Sequence, residues 1–157
     1  MQKILIYGVG NPYRCDDRVG LEIADILSKK IHDKTIIIRS GSIDGMAMLD
    51  EIMGFDRVIF IDSIKTKDGK PGAIYKISIE QLQEKRSLSL SHGIDFLTAV
   101  RLGKKFGYTM PEEVIVYAIE IEDNESYKET CTETVRSSIP DIIRRIMTEI
   151  NHDQSDN

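Results

Sequence analysis

Ile4-Leu5-Ile6-Tyr7-Gly8-Val9-Gly10-Asn11-Pro12-Tyr13-Arg14-Cys15-Asp16-Asp17-Arg18-Val19-Gly20 is the stretch that decides the fold. Lys3 to Val9 is a short, largely apolar run, the pattern of a buried strand. Gly8, Gly10 and Pro12 end it in a loop, where glycines let the chain turn tightly. From Asp17 the period changes: Val19, Ile23, Ile26 and Leu27 fall on one stripe of a helix. Strand, glycine-bearing loop and helix form the opening unit of an α/β sheet with crossover helices.

The alternation continues outward. Thr35 to Ile38 reads as a second, fully buried strand, and Met46, Leu49 and Met53 follow at helical spacing between Asp44 as N-cap and Gly54 as C-cap. Arg57 to Asp62 holds a third buried strand, Val58-Ile59-Phe60-Ile61. Ala73 to Ile79 alternates imperfectly, as expected at a sheet edge. Glu80 to Ser89 is a long loop or a poor helix. Ser91 can cap a helix carrying Ile94, Leu97 and Val100, which closes near Gly107. Glu113 to Ile121 is a fifth strand. Val135, Ile139, Ile142, Ile143, Ile146 and Ile150 then mark a last helix, kinked at Pro140 or restarting there with Ser138 as cap. The pattern predicts one domain over residues 1–150, on a mostly parallel, twisted sheet of about five strands, and a disordered polar tail over 151–157.

If the second strand pairs on one side of the first and the third on the other, the loops after strands one and three share one crevice at the carboxyl rim. Asp16 and Asp17 lie in the first of those loops, and Asp62 directly follows the third strand. A carboxylate there has no packing role and is costly to bury unpaired, so Asp62 points to a site. One of the Asp16/Asp17 pair can be spent as an N-cap; the other is surplus. His92 lies at a helix start, and imidazole is both a common metal ligand and a proton carrier. His32 and His152 sit in polar surroundings and receive no role. Asp17, Asp62 and His92 make an O,O,N set able to bind nickel, zinc or a similar ion with positions left open. The same carboxylates could instead share a proton and activate water.

Other classes are disfavoured. Among 157 residues, 41% are hydrophobic and 30% charged with a net charge of −5, and the charges are interleaved, so no basic surface for nucleic acid is expected. No stretch is apolar enough to insert into a membrane, and Met1-Gln2-Lys3 leads into a strand rather than a signal peptide. Cys15 and Cys131 form no framework and read as free, partly buried thiols in a reducing cytoplasm. Gly8-Val9-Gly10 is not a dinucleotide fingerprint, since Tyr13 stands where the third glycine is needed and Arg39-Ser40 stand where a ribose-binding acid is needed. No nucleotide cofactor is expected.

Taken in order, these segments resemble the maturation endopeptidases of nickel–iron hydrogenases. The apolar strand with Gly8-Val9-Gly10-Asn11, then Asp16-Asp17 and Val19-Gly20, is similar to the family's first motif. Gly41 and Gly45 to Leu49, Val58 to Asp62, Ser91-His92-Gly93, and the stretch from Val116 through Pro140 resemble the rest. The resemblance implies a three-layer α/β/α fold and an aspartyl-type or metal-dependent hydrolase. It implies that Asp17, Asp62 and His92 are the metal-binding and catalytic positions, with Asn11 and Asp16 in the loop around them. The implied partner is a hydrogenase large-subunit precursor, whose C-terminal extension is cleaved and whose nickel, or another divalent metal, is the ion engaged. Three positions depart from the pattern: Arg18 replaces a Gly and can alter loop shape, Asp17 stands where some relatives carry Glu, and Ser40 stands where relatives often have Asp. A phosphoacceptor receiver domain is the alternative. It needs a Lys at the end of the last strand, where Ile119-Glu120-Ile121-Glu122 offers acids.

Overall fold

The computed structural model describes residues 1–84 and 90–155. Among these residues, the strands β1 Ile4–Val9, β2 Ile36–Gly41, β3 Arg57–Ile64, β4 Ile74–Ser78 and β5 Glu113–Glu120 form one sheet in the order β2-β1-β3-β5-β4. β2, β1, β3 and β5 run parallel, and β4 closes one edge antiparallel to β5. The helices are α1 Val19–Lys30, α2 Gly45–Ile52, α3 Ile79–Glu84, α4 Gly93–Lys105 and α5 Glu133–Ser155, with a 3-10 turn over Cys15–Arg18.

Alternation along the strands builds the three layers. Leu5, Tyr7, Val58, Phe60 and Val116 point to one face, under Met48 and Leu49 of α2 and Phe96 and Ala99 of α4. Ile4, Ile6, Ile59, Ile61 and Ile119 point to the other, under Ile23 and Leu27 of α1 and Ile139, Ile143 and Ile146 of α5. The expected mostly parallel, five-stranded α/β/α sandwich is therefore present. β4 occupies an edge as its imperfect alternation predicted, whereas β2 is an edge strand with only Ile36 buried rather than a fully buried one.

The glycines of the opening loop have a different purpose from the one predicted. Gly8 and Gly10 have no positive φ; in this loop that conformation belongs to Cys15, at φ 49°. What Gly8 and Gly20 supply is proximity. A β-carbon on Gly8 would stand 2.2 Å from the Gly20 carbonyl oxygen, and one on Gly20 would stand 2.4 Å from that of Ile61. α1 thus lies directly on β1 and β3.

Several predicted boundaries shift. β3 runs on to Ile64, so Asp62 is inside the strand rather than after it. His92, not Ser91, is the N-cap residue of α4, and its side chain makes no cap bond. Asp44 caps α2 as expected, accepting from the Ala47 amide. The stretch Glu80 to Ser89 holds α3 apart from its first residue, Ile79, and its residues 85–89 lie outside the described residues. α5 neither restarts at Pro140 nor uses Ser138 as a cap: the Ser138 hydroxyl donates back to Thr134 O. Pro140 and Arg136 are both on the exposed face, so the carbonyl that Pro140 leaves without its helical donor can be served by water. The helix also passes Asn151 and continues to Ser155, where a loose tail was expected. The buried Arg57 holds its last turn, pairing with Asp153 at 2.7 Å and Glu113 at 2.6 Å.

Candidate active site

The site opens where two strands part. β1 pairs with β3 only as far as Gly8 opposite Ile61, then turns away, while β3 continues. The freed flank of β3 is taken by the segment before α4: the Ser91 amide donates to Ser63 O, and Leu90 bridges to Ile64 in antiparallel sense. This is the crevice that a reversal of strand order creates, and the sequence placed its candidate residues there. Phe60 and Phe96 stack at 4.3 Å, which sets α4, and with it His92, against the face that carries Asp62.

Asp62 is fully buried. Its Oδ1 accepts from the Ser63 amide at 2.8 Å and faces His92 Nδ1 at 2.9 Å; its Oδ2 accepts from the His92 amide at 3.0 Å. Burial pushes the Asp62 carboxyl up, and the hydrogen bond and charge of His92 pull against it. Burial works to lower the imidazole of His92, but the hydrogen bond and charge of Asp62, then Asp17 and Asp95, outweigh it and raise the group. With the proton on Nδ1, His92 donates to Asp62 Oδ1, which also accepts from the Ser63 amide. That leaves Nε2 as the nitrogen free to act.

Asp17 approaches from the other side. Ser63 alternates with Asp62 and shares the strand face of Ile59 and Ile61, toward α1. Its hydroxyl donates to Asp17 Oδ1 at 2.7 Å, while the Asn11 amide donates to Asp17 Oδ2 at 2.9 Å. The Ser63 hydroxyl also meets the Ser91 hydroxyl at 2.8 Å. The structure thus brings Asp17, Asp62 and His92 to one end of β3, with Asp62 and His92 in contact and Asp17 joined to them through Ser63.

Asp16 has a separate role. Fully buried, it accepts from the Thr132 amide at 2.7 Å, the Thr132 hydroxyl at 3.0 Å, and the amides of Glu122 at 3.1 Å and Asp123 at 2.9 Å. It clasps the loop after β5 to the loop after β1. Neither acid caps a helix: the N-cap positions are Arg14 for the 3-10 turn and Arg18 for α1, without side-chain bonds. Arg18, one of the departures, donates to Pro12 O at 2.9 Å and also to Glu129 O, stapling the same two loops. Ser40 is exposed on β2. Cys15 and Cys131 are free and fully rather than partly buried.

Among the described residues, no three His, Cys, Asp or Glu side chains gather into a metal-holding group. The reason is visible in the bonding: Asp62 spends both oxygens on His92 and the Ser63 amide, and Asp17 lies beyond Ser63. This arrangement does not fit a resident metal held by all three side chains. Sequence reading missed Ser63 and Ser91. The signal was a hydroxyl directly beside each expected residue, at Asp62-Ser63 and Ser91-His92.

A model of the hydrogenase maturation protease family matches residues 21–149. A hydrogenase 2 maturation protease from Escherichia coli is 28% identical over 109 residues, a match spanning 66% of this chain and 66% of that protein. Among solved structures, the E. coli hydrogenase maturating endopeptidase HybD superposes with a TM-score of 0.82 at 22% identity, covering 96% of this chain and 93% of its own. The [NiFe] hydrogenase maturation protease HybD from Thermococcus kodakarensis gives a TM-score of 0.73 at 19% identity, covering 93% and 97%. At these identities the structural likeness speaks for the fold.

Proposed function

Because the chain belongs to the hydrogenase maturation protease family, a family of peptidases, we propose that it is an endopeptidase that removes the C-terminal extension of a nickel-loaded hydrogenase large-subunit precursor. The observation that carries this reading is the meeting of Asp17, Asp62 and His92 at the end of β3, in the crevice where β1 leaves it. Nickel enters as part of the substrate, met by His92 and Asp17, with Asp62 buried behind His92. Asp62 fixes the His92 ring through Nδ1, so Nε2 presents toward the incoming precursor. Asp17 supplies a carboxylate beside the reacting peptide bond, held through both oxygens. Positioned groups of this kind move protons to and from attacking water and leaving amine. The free thiols fit a cytoplasmic setting, and among the described residues no helix is long and apolar enough to cross a membrane.

The receiver-like alternative fares worse. Such folds have an all-parallel sheet with the order 2-1-3-4-5, whereas β4 here is antiparallel at the edge. Glu120, where a Lys is required, accepts from the Thr66 amide at 2.8 Å and from the Tyr75 hydroxyl at 3.3 Å, fastening the loop after β3. The test is to incubate the protein with nickel-loaded and nickel-free precursor and weigh the products by mass spectrometry. The shortened subunit is expected from the loaded form alone. Absence of processing of the loaded form would overturn the proposal.

A further inference from the structure

Ser63 and Ser91 touch or adjoin all three candidate site residues, and their hydroxyls bond to Asp17 and to each other. Ser63 follows Asp62 in the chain, Ser91 precedes His92, and Ser63 bonds to Asp17 across 46 residues of sequence. An ionised carboxylate only accepts, so the single hydroxyl proton of Ser63 goes to Asp17 Oδ1. The contact between the two serines must then run the other way, with Ser91 O–H donating to Ser63 Oγ. The result is a directed chain, Ser91 to Ser63 to Asp17, that starts at an exposed residue and ends on a carboxylate only 7% exposed. Each bond in such a chain polarises the next.

The chain has a mechanical consequence. Without Ser63, Asp17 would keep, among the described residues, only the Asn11 amide as a donor, and its carboxylate could swing about that bond. With it, both oxygens are fixed, and fixed relative to β3, the strand that also carries Asp62. Ser91 in turn ties the His92 segment to the same strand, by its hydroxyl and by its amide to Ser63 O.

We infer that Ser63 and Ser91 are positioning residues that set Asp17 against the Asp62–His92 pair, with Ser91 acting through Ser63. This deepens the peptidase reading and rests on it. The test is a double-mutant cycle on the nickel-loaded precursor, with kcat and KM measured separately. Ser63→Ala is expected to lower kcat by about 10- to 100-fold, the cost of a misplaced reacting group, with KM within about twofold, since docking contacts elsewhere are unchanged. Ser91→Ala should lower kcat by a few-fold, and the double variant should be no slower than Ser63→Ala, because the two act in series. Ser63→Thr, which keeps the hydroxyl, should restore most of the lost kcat. Equal kcat in Ser63→Ala and wild type, or losses that multiply in the double variant, would overturn the inference.

A second readout needs no substrate. Hydrogen exchange of the Asn11 amide, whose acceptor is Asp17 Oδ2, should quicken in Ser63→Ala while exchange in the core of β3 stays slow. Unchanged Asn11 protection would overturn the positioning role. If wild-type protein fails to cut the loaded precursor, the peptidase reading falls, and the exchange measurement still decides whether Ser63 holds Asp17.

Discussion

Two neighbouring carboxylates on one loop, and a third on the adjoining strand, meet different fates. Asp16 sits in a clasp between the β1–α1 and β5–α5 loops, where every donor is an amide or a hydroxyl and every bond closes the fold on itself. Asp62 sits where β3 meets the start of α4, and one of its donors is an imidazole that is itself half-buried and titratable. Both acids are fully buried. Burial therefore does not separate a structural acid from a functional one. The donors tell these two apart: Asp16 is met by amides and a hydroxyl, Asp62 by a titratable histidine, and Asp17, also met by an amide and a hydroxyl, differs from Asp16 by its place beside Ser63 of β3.

The sharpest way to break this contrast is Asp62→Asn. It keeps the shape and loses the charge that orients His92, so processing should fall by at least about 100-fold while the thermal midpoint moves little. Full activity, read as cleaved subunit by mass spectrometry, would remove Asp62 from the mechanism and the contrast with it. Asp16→Ala should show the opposite profile. It strands the amides of Glu122, Asp123 and Thr132, and a loss of about 2–4 kcal/mol is expected, measured by urea unfolding, with cleavage per folded molecule preserved at low temperature. Loss of activity at unchanged stability would place Asp16 in the site instead. Arg18→Gly releases the staple to Pro12 and Glu129 and should cost about 1–2 kcal/mol by the same measurement.

The smallest effect is one of pH. The carboxyl of Asp123, at the edge of the clasp, is drawn down to about 2 by hydrogen bonds from the Ser126 side chain and backbone and the Glu125 amide. A group depressed on folding stabilises above its unfolded value, and that gain is lost as pH falls through the folded one. Asp123→Asn should therefore be slightly less stable than wild type at pH 6, with the gap narrowing between the ordinary value of 3.8 and about 2. Urea midpoints across that range test it; a gap that persists at the acid end would show that Asp123 contributes something other than its charge.

Local patterning made most of the sheet legible. The apolar runs at Ile4, Val58 and Val114 are each short and rich in β-branched residues, the pattern of a buried strand, and the crevice followed from their connections. The three candidate residues were legible as types, the two acids beside apolar strands and His92 at a helix start. What escaped was set by contacts distant in sequence. Nothing near Asp16 announces Thr132, 116 residues on, as its partner, so the Asp16/Asp17 pair looked like an N-cap with a spare. Ser91 has the residue type and place of a cap, and only the path of the chain along β3 turns its hydroxyl to Ser63 instead. The run of α5 through Pro140 depended on which side of the helix faces water, and its extension beyond Asn151 on an arginine at the far end of β3.

Asp62 and Ser63 leave β3 on opposite faces, and that alternation constrains traffic. A polypeptide reaching for His92 and Asp17 together cannot slide in along either flank of the sheet, because α1 closes one and α4 the other. What the two faces share is the rim beyond Gly8, where β1 leaves β3.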